Sequence, residues 1–150
     1  MFFRRLLLLA GAAAVSFAAK TSTAVEWNAL PPAVQAAAGK WPAPANAARS
    51  YEKIIIDGAT FFELKIKTPG GKAQEILFRP DGTVAETEEE IEMSRVPAPA
   101  RVAIQKAAEG KTLVKVDVIR RNGKELYEGE IRDNGKKFAP VFDAAGKRVD

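Results

Sequence analysis

The chain has no cysteine and no histidine in its 150 residues. Without cysteine there is no disulfide framework and no thiol nucleophile, and without histidine every triad with an imidazole base is excluded; Cys/His zinc sites go with them. Serine is scarce as well. Beyond the first 18 residues only Ser22, Ser50 and Ser94 remain, and none lies in a nucleophile elbow. No catalytic residue, metal site or cofactor is expected. What is present is an ordinary globular balance of 47% hydrophobic and 28% charged residues, in a length suited to one domain.

The N-terminus stands apart. Met1-Phe2-Phe3-Arg4-Arg5 is a short basic start, followed by an apolar run from Leu6 that ends in small residues. That order is a secretory signal, and Ser16-Phe17-Ala18 offers the small-x-small pattern for cleavage after Ala18. No cysteine follows to form a lipobox, and no Ser/Thr precedes the arginine pair as twin-arginine export would favour. The expected location is therefore periplasmic or secreted, with no membrane attachment once residues 1–18 are removed. Loss of Arg4 and Arg5 leaves 21 basic and 19 acidic residues, a nearly neutral body. Its basic residues are interspersed with glutamate, so nucleic acid is not an expected partner. Residues 19–29 read as an N-terminal linker.

The remainder repeats itself at an offset of 64–65. Asp57-Gly58 through Phe62-Glu63 to Ile66 lies over Asn122-Gly123 through Tyr127-Glu128 to Ile131. Further on, Gly71-Lys72 meets Gly135-Lys136 and Asp81-Gly82 meets Ala145-Gly146. Two units result, 30–95 and 96–150. Each begins with proline and an alanine-rich helical stripe: Leu30, Val34, Ala37, Ala38 and Trp41 in the first, Ala100, Ala103, Ile104, Ala107 and Ala108 in the second. Thereafter the period changes to two. Phe62, Leu64 and Ile66 share one face while Phe61, Glu63, Lys65 and Lys67 share the other, and Val114, Val116 and Val118 alternate likewise. Asp-Gly and Asn-Gly pairs mark tight hairpins, because type I′ turns need positive φ at both central residues. The expected fold class is α+β: a tandem repeat of a helix plus a four-stranded antiparallel meander sheet, with the helices on one face. A single helix covers only one face of such a sheet, so the other is expected to be exposed.

The stretch from Gly110-Lys111-Thr112 through Asn122-Gly123-Lys124-Glu125-Leu126-Tyr127-Glu128 to Phe142-Asp143-Ala144-Ala145-Gly146-Lys147 resembles the PepSY-like, or beta-lactamase-inhibitor-like, family. The chain departs from that pattern at Ala145-Gly146, where Asp-Gly is usual, and at Gly129, where a branched apolar residue is usual. The resemblance implies an exported protein whose tandem units join into one curved sheet that grips a protein, with no catalytic residue to carry over. The expected function is a non-catalytic binding module, an inhibitor or regulator of an envelope or extracellular enzyme, acting through the exposed sheet face.

On that face the expected contacts are Phe61, Glu63, Tyr127 and Glu128. Phe61 is out of phase with the apolar stripe of its strand, whereas Trp41, beside the helix stripe, belongs to the core. Glu63 and Glu128 are repeat equivalents, one unit apart, and do not form a catalytic carboxylate pair. Glu86, Glu88, Glu89, Glu90 and Glu92 crowd five carboxylates into seven positions. They read as a solvated, edge-protecting charge run that pairs across the sheet with Lys111, Lys115, Arg120, Arg121 and Lys124. A sensor or accessory protein binding cations or small ligands through this strand is the alternative function.

Overall fold

A computed structural model describes residues 20–149; the proposed signal lies outside them. The elements are β1 (Lys20–Val25), α1 (Pro32–Gly39), β2 (Ala48–Ile56), β3 (Ala59–Lys67), β4 (Ala73–Phe78), β5 (Val84–Ile91), α2 (Ala98–Ala107), β6 (Thr112–Arg121), β7 (Lys124–Asp133), β8 (Lys136–Phe138) and β9 (Val141–Asp143). The strands form a single antiparallel sheet in sequence order, with β9 also pairing β7. The α+β class is as expected.

The hairpins are dictated locally. Asp57 and Gly58 adopt φ of 49° and 81°, Asn122 and Gly123 52° and 72°, and Asn134 and Gly135 48° and 79°, as type I′ turns demand. Each helix is preceded by a short 3-10 turn and a proline N-cap. Leu30 N–H donates to Trp27 O and Val96 N–H to Met93 O, both at 3.1 Å, and Gln35 and Arg101 N–H each reach the capping proline carbonyl at 2.9 Å. The two helices cover the same face. Leu30, Val34 and Ala38 pack with Phe62, Leu64, Ile66, Ile76 and Phe78, and Ala100 and Ile104 pack with Val116, Val118, Tyr127 and Phe142. Trp41 meets the first cluster edge-on through Phe78, ring centroids 6.0 Å apart, as its place beside the stripe predicts.

Two glycines let the last hairpin of each half dock on the start of its helix. A Cβ on Gly82 would lie 2.5 Å from Ala33 O, and one on Gly146 2.6 Å from Pro99 O; both residues have φ above 80°. Gly129 answers a different need. A Cβ there would meet Ile104 Cγ2 at 2.8 Å, so the departure from the usual branched residue is the space that α2 occupies.

Four expectations are corrected. Residues 19–29 are not simply a linker, since Lys20–Val25 pairs with β2 along its whole length; an edge strand with little buried surface carries no apolar alternation to reveal it. The second half lacks a full four-strand meander. Ala139-Pro140 interrupts its third strand into β8 and β9, which keep one register on β7, and the fourth strand is a single bridge, Phe142 to Arg148. A bulge between Leu113 and Lys115 puts Val114 out of phase, so it is exposed and Leu113 packs on the core instead. The acidic strand β5 is interior rather than an edge, held between β4 and β6.

Replacing Gly129 by valine should cost about 1–3 kcal/mol by overpacking against Ile104. Chemical denaturation measures it, and the double variant Gly129→Val with Ile104→Ala should recover part of the loss.

Candidate functional site

Strand alternation commits the neighbours of every helix-facing residue to the opposite face, where neither helix packs. Glu63, Glu86, Glu88, Asp117, Glu128 and Glu130 gather there, each less than 10% exposed. They interleave with two apolar clusters, Ile54, Ile56, Phe61, Leu77 and Ala85 in the first half and Ile119, Leu126 and Val141 in the second.

Basic side chains are threaded among the acids. Lys65 Nζ lies 2.7 Å from Glu52 and 3.2 Å from Glu63. Arg121 is 3.2 Å from Glu86, Lys137 2.6 Å from Glu130, and Lys115 2.5 Å from Asp117 and 4.0 Å from Glu88. Ser22 donates to Glu52 from β1. Burial pushes the Glu86 carboxyl up to about 7, against the pull of Arg121 and with the help of neighbouring Glu88. On Glu52 the hydrogen bonds from Lys65 and Ser22 outweigh burial and hold its carboxyl below the ordinary range.

Glu88, Asp117 and Glu128, one from each of three adjacent strands, bring carboxylate oxygens within 4.8 Å of one another. A hard divalent cation takes oxygen ligands of this kind. Lys115 already supplies a positive charge at Asp117, however, so the trio carries its own counterion.

The expected contacts divide. Phe61, Glu63 and Glu128 are on the helix-free face, as their phase requires. Phe61 is only 6% exposed rather than open to solvent, because Ile54, Ile56, Leu77 and Ala85 from neighbouring strands surround it. Tyr127 is misplaced by the expectation. It faces α2 within the second core, and its hydroxyl donates to Glu125 at 3.1 Å. The repeat makes it the counterpart of Phe62, which packs under α1. Cross-sheet pairing of the acidic strand holds for Lys115, Arg120 and Arg121. Lys111 instead lies over the Phe138 ring, and no ion pair joins Lys124 to the strand. Asp117 was missed, although an acid inside Val116-Asp117-Val118-Ile119 is a legible signal: a carboxylate in a buried strand needs a partner.

No protein-family model matches the chain, and no curated protein does either. Solved structures share its fold, among them three from Bacteroides. A "putative periplasmic" protein of Bacteroides eggerthii is 18% identical with a TM-score of 0.63, over 81% of this chain and 86% of that one. A DUF2874 family protein of Bacteroides ovatus is 13% identical with a TM-score of 0.59, over 81% and 85%. A BLIP-like protein of Bacteroides fragilis is 19% identical with a TM-score of 0.57, over 81% and 84%. The chain is similar in fold to these proteins. Among the described residues no helix is long and apolar enough to cross a membrane.

Two outcomes follow from the charge arrangement. Because burial pushes the folded Glu86 carboxyl up to about 7 from its ordinary value of 4.5, the native state holds a proton that the unfolded chain releases. Stability should therefore fall by roughly 3 kcal/mol as pH rises from about 4.5 through 7, and Glu86→Gln should flatten that slope in urea titrations across the range. Lys115→Met should cost about 3–5 kcal/mol near neutral pH by leaving Asp117 without its counterion, with Lys115→Met/Asp117→Asn recovering much of the loss.

Proposed function

We propose that the chain is an exported, non-catalytic binding module that takes up a protein partner on the helix-free sheet face, as an inhibitor or regulator of an envelope or extracellular enzyme. The observation that carries this reading is the concentration of six buried acids and two apolar clusters on one broad sheet face to which neither helix contributes. Phe61, Glu63 and Glu128 belong to that surface, and the half-buried Glu52, Lys65, Glu75 and Glu90 form the part a partner meets first. Charge placed on a weakly hydrated face discriminates between partners more sharply than charge in water. The BLIP-like and periplasmic descriptions of the structural neighbours support the same reading, as does the sequence resemblance to PepSY-like proteins. The halves 30–95 and 96–150 are read as a duplication. Its support is the shared order of 3-10 turn, proline-capped helix and strands, and the matching glycine contacts at Gly82 and Gly146.

A second reading has one specific observation in its favour: the Glu88, Asp117 and Glu128 oxygens converge as a divalent-cation site would require. It ranks below the first because Lys115 is seated at Asp117.

The test is affinity capture from an envelope extract, with and without chelator. A stoichiometric protein retained in both conditions, and held at least tenfold more weakly by Glu75→Lys/Glu90→Lys, is the expected result. Loss of capture only with chelator, together with a thermal midpoint raised by added calcium or manganese, favours the second reading. Export is checked independently: the mature N-terminus, read by mass spectrometry from the native host, should lie near Ala19, which leaves β1 intact.

A further inference from the structure

The two edges of the sheet are treated differently by the sequence. At the far edge β8 carries Lys136 and Lys137, Pro140 separates it from β9, and the C-terminal residues fold back over β9. There Asp143 N–H donates to Lys147 O and Val149 N–H to Val141 O, both at 2.9 Å. Lysine, proline and a covering segment are the usual protections of an exposed strand. Among the described residues the near edge, β1, has neither proline nor a covering segment, and its one lysine, Lys20, stands at its end. It pairs with β2 over six consecutive residues without a bulge, and no described strand pairs its outer side. Its middle, Thr21-Ser22-Thr23-Ala24, is exposed, uncharged and free of proline.

The only charges stand at its ends. Lys20 begins the strand, and Glu26, exposed and still extended at φ −80° and ψ 157°, follows it. Neither forms an ion pair with another described residue, although most acids of the adjoining face do. Antiparallel pairing of β1 with a second copy, centred on Thr23, sets Lys20 against Glu26 of the other copy twice, Ser22 against Ala24, and Thr21 against Val25. Directly opposed residues share a face, so this register keeps the helices of both copies on one side and the acid-rich faces continuous. The outer edge can pair with itself only in registers that differ by two residues, and those centred on Ser22 or Ala24 would set Lys20 against Ala24 or Glu26 against Ser22, separating the charges. Because the far edge is closed, a head-to-tail chain of copies is blocked, and the two-fold arrangement is the one that closes.

We infer that β1 is a self-association edge through which two copies form an antiparallel, two-fold dimer held in register by reciprocal Lys20–Glu26 pairs. An edge of this length buries less than a standard interface, so the dimer forms in a concentration-dependent equilibrium. This inference does not depend on the partner or cation readings.

Sedimentation velocity on the full chain, from about 10 µM to 1 mM and at low salt, provides the test. The expected result is a monomer–dimer equilibrium. Lys20→Glu alone and Glu26→Lys alone should each raise the dissociation constant about tenfold or more, while Lys20→Glu/Glu26→Lys returns it towards the original value. Thr23→Lys, which sets two lysines against each other at the two-fold axis, should abolish the dimer with an unchanged far-UV spectrum. A chain that stays monomeric throughout overturns the inference. So does a double charge swap as weak as either single one, or a Thr23→Lys variant that still dimerises.

Discussion

A strand cannot commit one residue to a core without committing its neighbour to the opposite side. In β3 the demand of α1 for Phe62, Leu64 and Ile66 sends Phe61, Glu63 and Lys65 to the helix-free face; in β7 the seating of Tyr127 and Gly129 under α2 sends Leu126, Glu128 and Glu130 there. The sheet then brings like charges into direct opposition: Glu52 against Glu63, Glu90 against Asp117, and Asp117 against Glu128. Such pairs are unfavourable in the absence of a counterion. Lys65 sits between the first two, and Lys115 sits at Asp117. The lysines of this face are thus part of what permits the sheet to exist in this register, before any partner is considered.

What was legible in the sequence is what is decided within a few residues. The Asp-Gly and Asn-Gly hairpins follow from φ, the helix starts from proline, and the helix-facing side of β3 from a period of two. The features that escaped are those set by residues distant along the chain. Phe61 was correctly phased, yet its burial depends on Ile54, Leu77 and Ala85, which belong to three other strands. Tyr127 lies in the core as its repeat counterpart Phe62 does, so the repeat itself argues against a surface aromatic there. The bulge at Val114 leaves no local mark, because valine suits either phase of a strand. The acid trio has no sequence spacing at all: its members meet because β5, β6 and β7 are consecutive in the sheet.

The charge of β5 acquires a reason once its position is known. The two halves meet along β5 and β6, and the ion pairs Glu86–Arg121, Glu88–Lys115 and Glu89–Arg120 all cross that seam. Apolar contacts alone would specify it weakly, since only Ile91 opposite Val116 joins two core side chains directly across it. Shifting β6 by one residue against β5 would turn Lys115 and Arg121 to the helix side and Val116 and Val118 to the other, separating each acid from its base while emptying the core under α2. Acids on one strand and bases on the next therefore fix how the halves join, a use of buried ion pairs in which specificity matters more than net stability. Glu86 and Glu88 then lie on the helix-free side of the seam, so that a structural requirement and the proposed binding surface coincide there.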